Sequence, residues 1–250
     1  IPMDEKGILV NELENSGADV VHISPSHHFP TGIVTPISRR YELLGWAAAS
    51  ANRYIIEDDY DSEFRLTGKP IPSLQSMDIT QKVIYINTFT KSLSSTMRIS
   101  YMVLPPELAN RFLEQLSFYS CTVSNFEQYA LMRFINEGYF EKHINRMRNF
   151  YHKQRDILLD AIKRSPLSSH VTIMEEDSGL HFLLKLKMEL SDKEFMQRAL
   201  QKGIKLNSLS AYYHDSPDDF AAHTFIINYS YLNTEHLAEA INVLYDCIKK

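Results

Sequence analysis

The chain's 250 residues suffice for one large domain or two smaller ones, and 44% hydrophobic with 23% charged residues is the profile of an ordinary soluble globular protein. With 26 basic against 31 acidic residues, a net charge of −5 argues against a phosphate-tracking nucleic-acid surface on this chain. Cys121 and Cys247 lack CxxC spacing, the histidines form no HExxH pattern and no apolar run is long enough for a bilayer, so we expect no disulfide framework, no metal site, no membrane span and a reducing cytoplasm.

In chain order, apolar runs alternate with amphipathic ones, which predicts an α/β fold. Val20–Ile23 reads as a short buried strand ending at Ser24-Pro25. A helical pattern from Ser38, its expected N-cap, runs through Trp46 to Ala51. Tyr54–Ile56 is the next strand and leads into the acidic run Glu57-Asp58-Asp59. Val83–Ile86 and Ile99–Leu104 follow as strands, the latter closed by Pro105-Pro106. Helices are expected over Glu107–Ser120, Phe126–Glu137 and, as one long element, Tyr139–Lys163, stopped by Pro166. Beyond it come strands at Val171–Met174, His181–Leu186, Ile204–Leu206 and Phe225–Asn228, with helices over Asp192–Lys202 and Thr234–Ile248. This predicts a larger unit over residues 1–150 and a smaller α+β unit over 151–250. The opening Ile1-Pro2-Met3-Asp4 carries no initiator methionine or leader, and a piece of a longer chain is expected.

Ligands of open α/β sheets bind beyond the carboxyl ends of the strands, so the residues there carry the functional reading. Ile55-Ile56-Glu57-Asp58-Asp59-Tyr60-Asp61 places carboxylates at a buried strand end, which is costly unless they meet a cation such as a pyridinium nitrogen; an acidic surface loop is the alternative. Thr88-Phe89-Thr90-Lys91-Ser92-Leu93 holds a lysine among hydroxyl residues after a strand. A lysine in a partly buried turn has a lowered pKa and can form an imine. Thr88 and Arg98 could meet a phosphate, Arg98 through its two-pronged guanidinium. Ser24-Pro25-Ser26-His27-His28-Phe29-Pro30-Thr31-Gly32 is a sharply turning loop after a strand. The Arg146, Arg148 and Arg155 group reads as a solvated or interface face of the long helix, and His181 and His214 as structural histidines.

In this order and spacing the three segments resemble the fold-type I aminotransferases that use pyridoxal 5'-phosphate (PLP). More specifically they resemble the MocR subfamily of GntR transcription regulators, which fuse a winged helix-turn-helix domain to an aminotransferase-like domain. The matching stretches are SPSHHFPTG (24–32), PISRRYELLGWA (36–47), IIEDDYDSEFR (55–65), INTFTKSLSSTMRISYMVLPP (86–106) and HINRMRNFYHKQRD (143–156), continuing weakly through SGLHFLL (178–184) and SAYYHD (210–215). The resemblance implies that Lys91 forms the Schiff base with PLP, that Asp58 faces the pyridine nitrogen, that Tyr60 meets the ring hydroxyl, and that Thr88 and Arg98 contact the phosphate. It implies a homodimer, a small amino compound as effector or substrate, and DNA binding only through a domain absent from this chain.

Two departures bear on activity. Phe29 stands where catalytic members have the asparagine of N-P-T-G, and Ile226 stands where a carboxylate-clamping arginine is expected. An aliphatic side chain cannot make that bidentate pair. The resemblance also implies that a Gly-rich phosphate turn and a ring-stacking aromatic precede residue 1. The leading expectation is a PLP-binding, effector-sensing domain of a transcription regulator. The alternatives are a working aminotransferase, in which Lys91 moves a proton during transamination, and an α/β domain that binds nothing.

Overall fold

The computed structural model describes residues 1–66, 71–177, 179–214 and 219–249. Ser178 and Asp215, at the ends of two of the matching stretches, lie outside them. The chain divides into two compact units, and the division falls within one long helix, between Arg146 and Met147. Two short stretches, Pro30–Gly32 and residues 64–66, are grouped with the second unit.

The first unit opens with a small antiparallel pair, β1 (Met3–Asp4) and β2 (Gly7–Ile8), and a short helix α1 (Val10–Asn15). Then come β3 (Val20–Ile23), α2 (Ile37–Ala48), β4 (Tyr54–Asp58), α3 (Leu74–Met77), β5 (Val83–Thr88), α4 (Phe89–Ser92) and β6 (Ser100–Val103). Helices α5 (Pro106–Leu116), α6 (Asn125–Asn136) and α7 (Tyr139–Arg164) follow. The strand order is β3-β4-β5-β6, parallel as far as β5, with β6 antiparallel. The parallel strands therefore deliver their carboxyl ends, Ile23, Asp58 and Thr88, to the same side of the sheet.

Burial alternates along β4, with Ile55 and Glu57 buried and Ile56 and Asp58 partly exposed, as a period of two requires. Ile55 joins Val21, Ile23 and Val83 beneath Leu43, Trp46 and Ala47 of α2, which forms the core of this unit. Helix α2 begins one residue before Ser38, which corrects the expected cap. Pro36 occupies the N-cap in an extended conformation and accepts the first helical bond from Arg40 N, and no side chain caps the helix. A proline whose φ is already fixed enters a helix at little entropic cost.

The second unit contains β7 (Val171–Met174), β8 (His181–Leu186), α8 (Asp192–Gln201), β9 (Asn207–Ser208), β10 (Thr224–Asn228) and α9 (Leu237–Ile248). Its sheet runs β7-β8-β10-β9, antiparallel throughout. Leu183, Leu209 and Ala221 form one core cluster, and Phe195 packs on Phe225 at 5.1 Å between ring centres. The expected strand at Ile204–Leu206 is displaced to Asn207–Ser208, which pairs with Ile226 and Phe225. The reason lies in the end of α8. Gly203 adopts φ +86° and donates to Leu200 O, while Ile204 N bonds Ala199 O at 2.9 Å. This Schellman ending uses the amide that a ladder would need. Among the described residues no helix is long and apolar enough to cross a membrane, and no group of three or more His, Cys, Asp or Glu side chains is placed to hold a metal ion.

Candidate functional site

At the carboxyl ends of β4 and β5 the first unit holds an open cavity of about 430 Å³. Asp58, Tyr60, Thr88, Lys91 and Arg98, the five residues singled out in the sequence, all line it, with Ile86, Asn87, Thr90 and Ser100. The register explains the convergence. Asp58 stands opposite Ile86 across the β4–β5 pair, and Thr88 opposite Ser100 across β5–β6, so these four occupy one region of the sheet's end. The volume lies within the usual range for a small-molecule site.

Lys91 sits in α4, a single helical turn. Thr88 caps this turn, its Oγ1 accepting from Thr90 N at 3.2 Å. Partial burial of Lys91 was expected, and the structure corrects this: Lys91 is exposed, because the cavity it lines is open to solvent. Arg98 is exposed as well, and neither cation has a hydrogen-bond or ion-pair partner among the described residues. Thr88 Oγ1 is engaged within this chain, donating toward Ile99 O at 3.2 Å or Thr90 Oγ1 at 3.0 Å.

The acidic run separates into distinct environments. Glu57 is fully buried under α2, 3.6 Å from Arg40, and accepts from Leu74 N at 2.8 Å and Gln75 N at 2.9 Å. Burial raises its pKa despite those two bonds. Asp58 points the other way, half-exposed at the cavity and 3.4 Å from His22 Nε2. The cation expected to meet this strand end is therefore in part supplied by the protein itself, Arg40 for Glu57. Asp59 accepts from the Tyr85 hydroxyl at 2.8 Å, and Asn87 donates to that hydroxyl at 3.0 Å. Burial raises the pKa of Glu63, which accepts from Asn87 at 3.4 Å.

Tyr60 is held by the loop after β3. Its hydroxyl donates to His27 O at 3.1 Å and lies 3.3 Å from His27 Nδ1. His27 Nδ1 is in turn 2.8 Å from Asp61 Oδ2, with both side chains buried. Burial, then the Asp61 and Asp58 carboxylates, push the phenol's pKa well up, so Tyr60 is a hydrogen-bond donor throughout the ordinary pH range. Burial also drives His28 down to about 4, with His27 and Arg40 adding to the effect, so it is neutral at pH 7 beside Thr35 Oγ1 at 3.0 Å. Sequence reasoning did not single out Arg40, Asn87, Ser100 or Asp61 as site or supporting residues. Asp61 had a signal, since a second carboxylate beside a tyrosine at a strand end needs a partner of its own.

The donor set suits a phosphorylated pyridine aldehyde: an amine, a guanidinium, a phenol that keeps its proton and a carboxylate that can face a protonated ring nitrogen. No protein-family model matches the chain. It is 44% identical to the HTH-type transcriptional regulator YdeL of Bacillus subtilis over 217 residues, 87% of this chain and 46% of that protein. It is 32% identical to the probable rhizopine catabolism regulatory protein MocR of Rhizobium meliloti over 244 residues, 98% of this chain and 48% of that protein. The chain thus spans about half the length of these relatives. Among solved structures, kynurenine aminotransferase of Pyrococcus horikoshii, determined in complex with PMP, superimposes with a TM-score of 0.83 at 28% identity, covering 100% of this chain and 63% of that one. In sequence and in fold, the chain is an aminotransferase-like domain of the MocR type, with the architecture of the fold-type I aminotransferases.

Proposed function

We propose that this domain binds pyridoxal 5'-phosphate covalently through Lys91 and uses it to sense a small amino compound on behalf of a transcription regulator. The observation that carries this reading is the convergence of Asp58, Tyr60, Thr88, Lys91 and Arg98 on one cavity. The cofactor supplies an aldehyde carbon that condenses with amines and a ring that withdraws electrons. Lys91 Nζ is the attachment point and, when a free amine replaces it, the group that accepts or returns a proton. Asp58 would hold the ring nitrogen protonated, Tyr60 would donate to the ring oxygen, and Thr88 and Arg98 would hold the phosphate. DNA contacts belong to a helix-turn-helix domain outside these residues, in keeping with the net charge of −5. A homodimer is part of the proposal, supported by the exposed Leu113, Phe118, Tyr119, Phe126 and Tyr129 on and between α5 and α6.

The fold likeness to kynurenine aminotransferase supports a second reading, an active aminotransferase. Phe29 and Ile226, at positions where the resemblance expects an asparagine and an arginine, favour binding over turnover. The discriminating experiment loads the protein with PLP, records the visible spectrum and adds a panel of amino acids and amines. A spectral change that saturates without release of a keto product supports the sensor. Repeated conversion of the cofactor to its amine form makes the protein an enzyme. No visible band with PLP, or an unchanged band in Lys91→Ala, would falsify the cofactor assignment.

A further inference from the structure

His27 and Asp61 are 34 residues apart in sequence, and the parallel β3–β4 pair brings their loops together. Their side chains are only 2% and 3% exposed, so the pair forms away from water, where an isolated carboxylate or imidazole is costly. As a carboxylate, Asp61 can only accept, and the 2.8 Å contact therefore places a proton on His27 Nδ1. That assignment decides what the neighbouring phenol can do. Tyr60 Oη lies 3.3 Å from the same Nδ1, but a nitrogen that already carries its proton cannot accept another. The phenol's own hydrogen is left with His27 O, 3.1 Å away, or with an acceptor in the cavity that Tyr60 lines.

We propose that His27 and Asp61 are positioning residues: the buried pair fixes the imidazole with its proton on Nδ1, and so keeps the Tyr60 phenol at the cavity wall as a donor to the ligand's ring oxygen. The inference rests on the cofactor reading above and deepens it. Neither residue lines the cavity. They act by keeping His27 Nδ1 from accepting the Tyr60 proton, so that His27 O is the local acceptor left to compete with the ligand's ring oxygen. The pair also anchors the loop after β3 to the loop after β4, so one contact sets both the position and the hydrogen-bonding sense of the phenol.

The test uses the PLP-loaded protein and the pH midpoint at which its visible band changes. A phenol donating to the ring oxygen favours the deprotonated form of that oxygen, so Tyr60→Phe displaces the midpoint. Asp61→Ala removes the acceptor that fixes the proton on Nδ1, leaves that nitrogen free to accept from Tyr60, and is expected to displace it in the same direction by at least half as much. The double variant is expected to go no further than Tyr60→Phe alone. His27→Asn, whose side-chain amide can place an N–H where Nδ1 stands, keeps the parent midpoint, whereas His27→Ala, which leaves the buried Asp61 carboxylate without its donor, moves it. A purely structural pair would instead lower the melting temperature of Asp61→Ala and leave its midpoint at the parent value, which overturns the inference. Should Asp61→Ala not fold, the two His27 variants decide the matter, and equal midpoints in both overturn it. A parent band with unmoved variants sinks only this inference. No band in the parent sinks the cofactor reading and this inference together.

Discussion

Replacing Arg40 by methionine removes the cation from beneath Glu57 and tests whether the end of β4 is held as described. Arg40 is fully buried and donates to Thr35 O at 3.0 Å, Pro72 O at 2.9 Å and Pro25 O at 2.9 Å, besides standing 3.6 Å from Glu57. Removing one member of a buried ion pair typically costs about 3–5 kcal/mol, because the other charge is left without compensation. Two backbone amides remain on Glu57, which lowers the cost, whereas three carbonyls lose their donor, which raises it, so a loss of about 4 kcal/mol is expected at pH 7. The pH dependence supplies a second check. Burial already raises the Glu57 pKa, and without Arg40 it rises further. A group whose folded pKa is raised contributes stability below its unfolded value and loses it as pH climbs, so the variant's deficit shrinks as pH falls from 7 toward 5. Urea unfolding followed by the single tryptophan, Trp46, reads this unit, since Trp46 is buried in α2 six residues from Arg40. A deficit under about 1 kcal/mol, or one that does not vary with pH, would refute the buried-pair account.

Three further substitutions test other parts of the fold. His28 has a folded pKa of about 4 against an ordinary 6.5, so the parent should lose about 3 kcal/mol as pH falls from 6.5 to 4, where the unfolded chain protonates first. In His28→Gln the urea midpoint should flatten over that window, and an unchanged slope would count against the assignment. Gly7 has φ +99°, and a Cβ there would sit 2.8 Å from Thr35 Oγ1 and 3.3 Å from His28 Nε2, so Gly7→Ala should cost about 2 kcal/mol in thermal unfolding; a neutral result would mean that the turn relaxes. Ser191 forms a reciprocal capping box with Glu194 at the start of α8, and Ser191→Ala should lower stability by about 1 kcal/mol, measured by denaturant unfolding of the second unit.

Much of the fold was legible because its signals are local. Apolar runs marked β3, β4, β5, β8 and β10, and the spacing of Ile144, Met147, Tyr151, Leu158 and Ile162 marked α7, where all but the half-buried Met147 are buried. The short elements were not legible. The turn α4 is held by the Thr88 side chain and by Phe89 N bonding Ile99 O, a contact ten residues away in sequence that no local window contains. The displaced strand at Asn207–Ser208 failed for the opposite reason, since the local ending of α8 overrode an apolar pattern at Ile204 and Leu206.

At the site, residue type and strand-end position pointed to Thr88, Lys91 and Arg98, and the family resemblance added Asp58 and Tyr60; all five line the cavity. Their support was not legible, because it depends on which strands are neighbours. Arg40 reaches Glu57 from a helix that precedes β4, and Asp61 finds His27 only because β3 and β4 are parallel partners. The tally of charges in EDDYD could not say which carboxylate faces the core and which faces the cavity. The alternation of burial along β4 decides it, turning Glu57 toward α2 and Asp58 toward the cavity.

The central claim is that Lys91 is where the cofactor is attached, and the most direct test is chemical. The protein is incubated with PLP, reduced with borohydride, digested and mapped by mass spectrometry. The account predicts a phosphopyridoxyl mass on the peptide containing Lys91, and none in Lys91→Ala. Label on another lysine, or no label at all, would contradict it.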